Sequence, residues 1–219
     1  YNFAWQCCMG TYPHDVTEYY NMLYYFDKDS IYVNQYLPSI VLWEKDNVKI
    51  EVENFSQYPE EEHLKFLIKT SKPVEFNFKF RVPSWVKRKT AVKVNGQDIN
   101  IIVEPNKWGI IKKIWENNDV ITIHIPFDLY FKPVDKYNPD IVALLYGPTV
   151  LVTDEITELV GDVKTPEEWI HLVDGEKMTF ETDKGHIAGY NFLSRTFIPF
   201  YKVGPMKWYF MYNRIKKLA

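Results

Sequence analysis

The segment Val74–Val82, with the sequence VEFNFKFRV, alternates apolar and polar residues along its length. In an extended chain Val74 and the three phenylalanines share one face, and the polar and charged side chains share the other. This is the pattern of a half-buried β-strand. The segment decides the fold class, because the chain on both sides of it repeats the same two-residue period.

Strand-like segments separated by turn residues recur along the chain. The clearest turn is Asn95-Gly96, which is typical of a type I′ hairpin and lies between Ala91–Val94 and Gln97–Val103. Short strands spaced by about 8–12 residues predict a β-sandwich. Further strands are predicted at Ser30–Tyr36, Ile40–Glu44, Val48–Asn54, Leu64–Thr70, Lys107–Ile114 and Asp119–Ile125.

The polar segment Asp135–Asp140, DKYNPD, predicts an internal boundary. We therefore expect a β-sandwich over residues 28–134 and a second β module over residues 135–219. The final predicted strands of the second module are Thr196–Tyr201 and Trp208–Tyr212, and they could return to the first sandwich.

Residues 11–26 carry the one clear helical pattern. Thr11 is a suitable N-cap, and Pro13 fits the first turn of a helix. Since the rest of the chain is strand-like, we expect this helix to bury its apolar stripe on chain that lies upstream. The sequence begins without Met and is interpreted as part of a longer polypeptide. The stripe consists of Val16, Tyr19, Tyr20, Leu23 and Tyr24.

Charge and hydropathy limit the kinds of partner that we expect the chain to bind. The chain has 26 basic and 29 acidic residues, which are interspersed and give a net charge of −3. We therefore expect no nucleic acid as a partner. No apolar run approaches the length of a membrane span, so no membrane partner is expected.

The two cysteines of the chain, Cys7 and Cys8, are adjacent and precede the predicted helix. A helix N-terminus favours a thiolate, which is both a nucleophile and a metal ligand. The structural alternative is equally open at this stage, because free cysteine is often a buried core residue. Free thiols fit a reducing compartment, so we expect a cytoplasmic location, although a secreted or periplasmic one is compatible with a missing N-terminus.

No other catalytic signature is found. The sequence has no phosphate-binding glycine loop, no Gly-x-Ser-x-Gly and no His-Glu-x-x-His, and its five histidines show no ligand spacing. A zinc site at Cys7 and Cys8 would therefore need ligands from outside this sequence. Trp108, Trp115 and Trp169 could stack on sugars, although packing is the more common role of such residues.

Five motifs occur in order along the chain. They are WQCCMGT at 5–11, DSIYVNQYLPS at 29–39, FRVPSW at 80–85, LLYGP at 144–148 and IPFY at 198–201. Together they resemble one enzyme family, the β-L-arabinofuranosidases of glycoside hydrolase family 127, over nearly the whole chain. Met9 and Tyr12-Pro13 depart from the most typical form of the first motif, so the resemblance does not fix the sugar.

The resemblance implies a mainly β chain, preceded by one helix that would close an upstream (α/α)6 barrel. Residues 1–27 would be the end of that barrel. The family hydrolyses glycosides with retention, which implies that Cys7 is the nucleophile and a zinc ligand and that Cys8 is a second zinc ligand. The remaining zinc ligands and the acid/base glutamate would lie upstream, so this chain would be an incomplete, inactive C-terminal portion.

The expected partners are therefore an oligosaccharide or glycoside substrate and the upstream α-barrel. The alternative hypothesis is a non-catalytic β-sandwich accessory module for carbohydrate binding or domain packing.

Overall fold

The computed structural model describes residues 11, 13–14 and 16–216. The chain divides into two compact units, Tyr1–Pro126 and Phe127–Ala219. The expected boundary was the polar segment at residues 135–140, eight residues or more further along. The division falls earlier because the segments on either side of that polar turn pair with each other as neighbouring strands.

The described residues from Thr11 to Glu18 are α-helical, and a 3-10 turn follows at Tyr19–Met22. The predicted helix ran to residue 26, and this part of the prediction is wrong. Tyr24–Phe26 is instead a strand paired with Ser30–Val33. The Asp27 side chain stabilises the tight turn between them by accepting a hydrogen bond from the backbone N–H of Asp29 at 2.8 Å.

The first unit contains ten strands among its described residues, arranged in two sheets. The sheet orders are β1-β2-β6-β9 and β3-β4-β5-β10-β7-β8. All pairings are antiparallel except that of β2 with β6. The strands are β1 (Tyr24–Phe26), β2 (Ser30–Val33), β3 (Ser39–Lys45), β4 (Val48–Asn54), β5 (His63–Thr70), β6 (Val74–Arg81), β7 (Ala91–Val94), β8 (Gln97–Asp98), β9 (Trp108–Trp115) and β10 (Asp119–His124).

The core of the first unit is formed by the apolar faces of both sheets. Phe76, Phe78 and Phe80 of β6 are buried, as their alternation predicts. Phe78 meets Phe66 of the other sheet with 5.2 Å between ring centroids. Trp115 is fully buried, and its Nε1 donates a hydrogen bond to the Phe76 carbonyl at 3.0 Å. The mainly β fold and the sandwich are therefore confirmed.

Asp119, at the start of β10, holds the turn that precedes its strand. Its carboxylate accepts hydrogen bonds from Asn95 Nδ2 at 2.7 Å, from Lys113 Nζ at 2.6 Å and from the backbone N–H of Glu116 at 2.8 Å. Burial by itself raises the pKa of Asp119, but these hydrogen bonds outweigh it and hold the pKa below its usual value.

We expect Asp119→Asn to lower the free energy of unfolding by about 1–3 kcal/mol at neutral pH, because charge-assisted hydrogen bonds are lost. A lowered folded-state pKa contributes stability above the unfolded pKa of about 3.9, and this contribution is lost as pH falls through the folded pKa. The difference between the two proteins should therefore shrink in acid. Urea unfolding at pH 7 and in acid measures this difference in the free energy of unfolding. Asp98→Asn, at an exposed position, is the control, and a pH-independent difference would contradict the account.

The second unit forms one sheet of eight strands in the part of the chain that is described. The sheet order is β14-β18-β12-β13-β17-β16-β15, and β11 pairs with β12 as well. The strands are β11 (Leu129–Pro133), β12 (Ile141–Tyr146), β13 (Thr149–Val152), β14 (Glu158–Val160), β15 (Ile170–Leu172), β16 (Phe180–Thr182), β17 (Thr196–Pro199) and β18 (Tyr212–Lys216).

The last two strands pair inside the second unit rather than with the first sandwich. β17 lies between β13 and β16. β18 lies between β12 and β14, and its pairing with β14 is parallel. The predicted final strand, Trp208–Tyr212, is four residues out of place, since Trp208 lies in a loop and the strand begins at Tyr212.

Short 3-10 turns at Pro166–Glu168 and Phe200–Lys202 complete the second unit. Its core contains Leu144, Leu151, Trp169 and Phe197. Within the described residues, no helix combines the length and the apolar character that crossing a bilayer requires.

Candidate functional site

Cys7 and Cys8 lie outside the described residues. Their roles as nucleophile and zinc ligands therefore stay predictions. The helix that follows them is described in part, and its histidine, His14, is exposed. The carbonyl of His14 accepts a hydrogen bond from Thr17 Oγ1 at 2.8 Å.

The described residues contain no group of three or more His, Cys, Asp or Glu side chains that could hold a metal ion. The four histidines of the β-structure instead contact neighbouring groups. His63 and His124 stack at 4.5 Å, His124 Nε2 lies 2.8 Å from Glu62, His171 Nε2 lies 3.1 Å from Asp183, and His186 Nδ1 lies 2.7 Å from the Val160 carbonyl. The described part of the chain therefore offers no zinc centre of its own.

The tryptophans named as sugar platforms are mostly packing residues. Trp115 and Trp169 are 0% and 3% exposed, so neither can present a ring face to a ligand. Trp108 is half-buried and meets Tyr32 edge to face at 5.1 Å. Among the tryptophans in the described residues, Trp208 has the most exposed ring, at 86%. The sequence pattern predicted a strand at this position.

Trp208 borders a cleft of about 370 Å³ in the second unit. The cleft lies where β13 ends, beside β17 and the loop that leads to β18. Tyr209 follows Trp208 along this rim and is 47% exposed. The side chains that matter for chemistry are those of Asp154, Ser194, Arg195, Lys207, Trp208 and Tyr209.

The loop that carries Trp208 is held at both ends. The backbone N–H of Lys207 donates to the Gly204 carbonyl at 3.3 Å, which closes a turn. Pro205 takes the second position of this turn, and Met206 takes the third with φ of +65°, as in a type II turn. After Tyr209, Thr153 and Phe210 exchange two backbone hydrogen bonds, of 3.1 and 2.7 Å. Both aromatic residues therefore have a fixed backbone.

Arg195 organises the charges of the cleft. Its Nη2 donates to Glu155 Oε2 at 2.9 Å, and its Nη1 lies 3.6 Å from Asp154 Oδ1. The Arg195 side chain is only 15% exposed, whereas that of Asp154 is 83% exposed. The Arg195 Nε is buried and has no hydrogen-bond partner within the described residues. The guanidinium charge is thus already balanced by two carboxylates.

The chain thus consists of a β-sandwich followed by a second β unit. Residues 30–127 match the family described as the middle domain of glycoside hydrolase family 127, β-L-arabinofuranosidase. This region of the chain is therefore similar to a family 127 middle domain, in agreement with the resemblance inferred from the motifs. No curated protein matches the chain.

Solved structures show the same fold over most of the chain. A family 127 β-L-arabinofuranosidase from Geobacillus stearothermophilus T6 has a TM-score of 0.75 at 17% identity over 96% of this chain. A glycoside hydrolase has a TM-score of 0.77 at 16% identity over 95% of it. A family 127 β-arabinofuranosidase has a TM-score of 0.70 at 21% identity over 89% of it. The chain spans 37%, 39% and 36% of these proteins, respectively.

Proposed function

We propose that this chain is the C-terminal portion of a retaining glycosidase that acts on β-L-arabinofuranosides. The observation that carries the proposal is the match of residues 30–127 to the family 127 middle domain, downstream of the Cys7-Cys8 motif and the helix. The proposed catalytic domain is an (α/α)6 barrel, of which residues 1–27 would be the last part.

The exposed face of the helix supports a barrel as the partner. Val16, Tyr19 and Tyr20 belong to the predicted apolar stripe, and they are 40%, 56% and 75% exposed. Of the rest of the stripe, Leu23 is 3% exposed, and Tyr24 is partly buried against the core of the first unit. Neighbouring apolar side chains on one helix face are stabilised by burial against another element, and a ring of helices provides such a surface.

In the proposed reaction the Cys7 thiolate attacks the anomeric carbon, and the sulfur–carbon bond forms as the glycosidic bond breaks. A carboxylic acid of the barrel gives its proton to the leaving oxygen, and water later releases the sugar with overall retention. Zinc held by Cys7 and Cys8, together with ligands of the barrel, would keep the Cys7 sulfur deprotonated.

The proposal predicts hydrolysis of β-L-arabinofuranosides only when residues 1–219 are joined to the α-barrel. Residues 1–219 alone should not hydrolyse 4-nitrophenyl β-L-arabinofuranoside, whereas a polypeptide that joins them to a family 127 α-barrel, hereafter the complete enzyme, should. Release of nitrophenol measures the hydrolytic activity of residues 1–219 alone and of the complete enzyme. Turnover by residues 1–219 alone would contradict the assignment as an incomplete portion. A folded but inactive complete enzyme, tested on β-L-arabinofuranosides, would contradict the proposed activity.

A further inference from the structure

The cleft of the second unit presents an aromatic surface that the fold does not need. Trp208 is 86% exposed, so its ring contributes little to the hydrophobic core. The turn at Gly204–Lys207 and the Thr153–Phe210 pairing nevertheless hold its backbone in place. An exposed tryptophan on an ordered rim is typical of binding surfaces, because the rigid ring gives a large contact area at a small entropic cost.

The polar groups beside this ring are arranged to bind hydroxyl groups. The Asp154 carboxylate is 83% exposed and is an acceptor, and its Oδ1 lies 3.6 Å from Arg195 Nη1. Lys207 lines the same cleft and supplies donors, and Ser194, whose hydroxyl donates to Glu181 Oε1 at 2.7 Å, offers its oxygen as a further acceptor. Acceptors and donors beside an apolar ring match a sugar, which has C–H groups on its ring face and hydroxyls around its edge.

The exposed Asp154 carboxylate disfavours an anionic group beside it, while three cations, Arg195, Lys202 and Lys207, also line the cleft. Arg195 is the most buried cation of the cleft, and it is already paired with Asp154 and Glu155. The ammonium of Lys202 donates to the Lys177 carbonyl at 2.7 Å. An anion entering beside Asp154 would meet a carboxylate, and that approach is unfavourable. A volume of about 370 Å³ lies at the small end of ligand pockets, which run from roughly 300 to 1,000 Å³, and suits a short saccharide.

We propose that this cleft binds a neutral saccharide, with a sugar ring stacked on the Trp208 indole and its hydroxyls bonded to Asp154, Ser194 and Lys207. The proposed binding does not depend on the proposed hydrolysis. It would hold a glycan chain on the second unit.

The test is an NMR titration of the 219-residue chain with arabinotriose, xylotriose and cellotriose, and with trigalacturonate as a charged probe. At least one neutral trisaccharide should shift the Trp208 indole N–H resonance saturably. Trp208→Ala should weaken its binding roughly tenfold, the size expected for the loss of one stacked ring. Trp208→Tyr should keep most of the affinity, and Asp154→Asn should weaken binding by a smaller factor.

Phe192→Ala is the matched control, since Phe192 is also 86% exposed in the same unit but does not line the cleft. It should leave binding unchanged. The proposal is overturned if no neutral trisaccharide binds, if Trp208→Ala binds as the wild type does, or if only trigalacturonate binds. A Trp208→Ala variant that loses affinity for the α-barrel, in a chain that binds no saccharide, would make the cleft a protein interface and would also overturn it.

Discussion

Replacement of Cys7 by alanine should lower kcat/KM of the complete enzyme on an aryl β-L-arabinofuranoside by about 10⁴-fold or more. The removal of a covalent nucleophile takes away a bond that forms in the transition state, and such losses are among the largest in mutant kinetics. The folded state should be unaffected, because the variant removes a single sulfur atom. Initial rates over a range of substrate concentrations measure the loss.

Cys8→Ala is the matched variant, because it removes the same atom one residue away. If both cysteines hold zinc, each variant should lower the zinc content measured by atomic absorption, but only the Cys7 variant should fail to form a covalent glycosyl adduct with a slow substrate. An active Cys7→Ala enzyme would contradict the assignment of Cys7 as the nucleophile. It would favour the alternative that this chain is a non-catalytic accessory module.

Trp115→Ala should cause the largest loss of stability, about 3–5 kcal/mol. The ring is fully buried at the end of β9, and it lies 5.5 Å from Phe76 and 6.2 Å from Phe78 between ring centroids. The variant leaves a cavity next to both phenylalanines. It also removes the hydrogen bond from Nε1 to the Phe76 carbonyl, which adds about 1 kcal/mol. Urea unfolding followed by near-UV circular dichroism measures the change.

Two further variants serve as comparisons, one for the lost hydrogen bond and one for an exposed tryptophan. Trp115→Phe keeps most of the volume but removes the N–H donor, so it should lose less than half as much stability as the alanine variant. Trp208→Ala removes an exposed indole and should change the free energy of unfolding by less than about 0.5 kcal/mol. Equal losses in Trp115→Ala and Trp208→Ala would show that Trp115 is not the centre of the core.

The sandwich could be predicted because its signal is local. The alternation of β6 fixes which side chains are buried, and Asn95-Gly96 fixes a hairpin without any knowledge of distant residues. The end of the helix could not be predicted in this way. Tyr24–Phe26 is too short to distinguish a helical period from a strand period, and its pairing with β2 decides the outcome.

The cleft could not be predicted from the sequence for a related reason, because pairing with distant residues decides the structure there. Residues 208–212, WYFMY, have high strand propensity, but the turn at Pro205 and the Thr153–Phe210 pairing keep Trp208 in a loop. The more polar segment Tyr212–Lys216 forms the strand because it fits between β12 and β14, both far away in sequence. A single signal was available, the Gly204-Pro205 pair shortly before an aromatic run, which indicates a turn that displays the aromatic residues after it.

The position of β18 has a consequence for synthesis on the ribosome. Every described strand of the first unit precedes residue 126, so that unit can complete its sheets while later residues are still being translated. The second unit cannot, because β12 and β14 both wait for residues 212–216. During that interval β12 at Ile141–Ala143 and β14 both lack β18 as a partner, and the apolar β12 edge would be open to pairing with other chains.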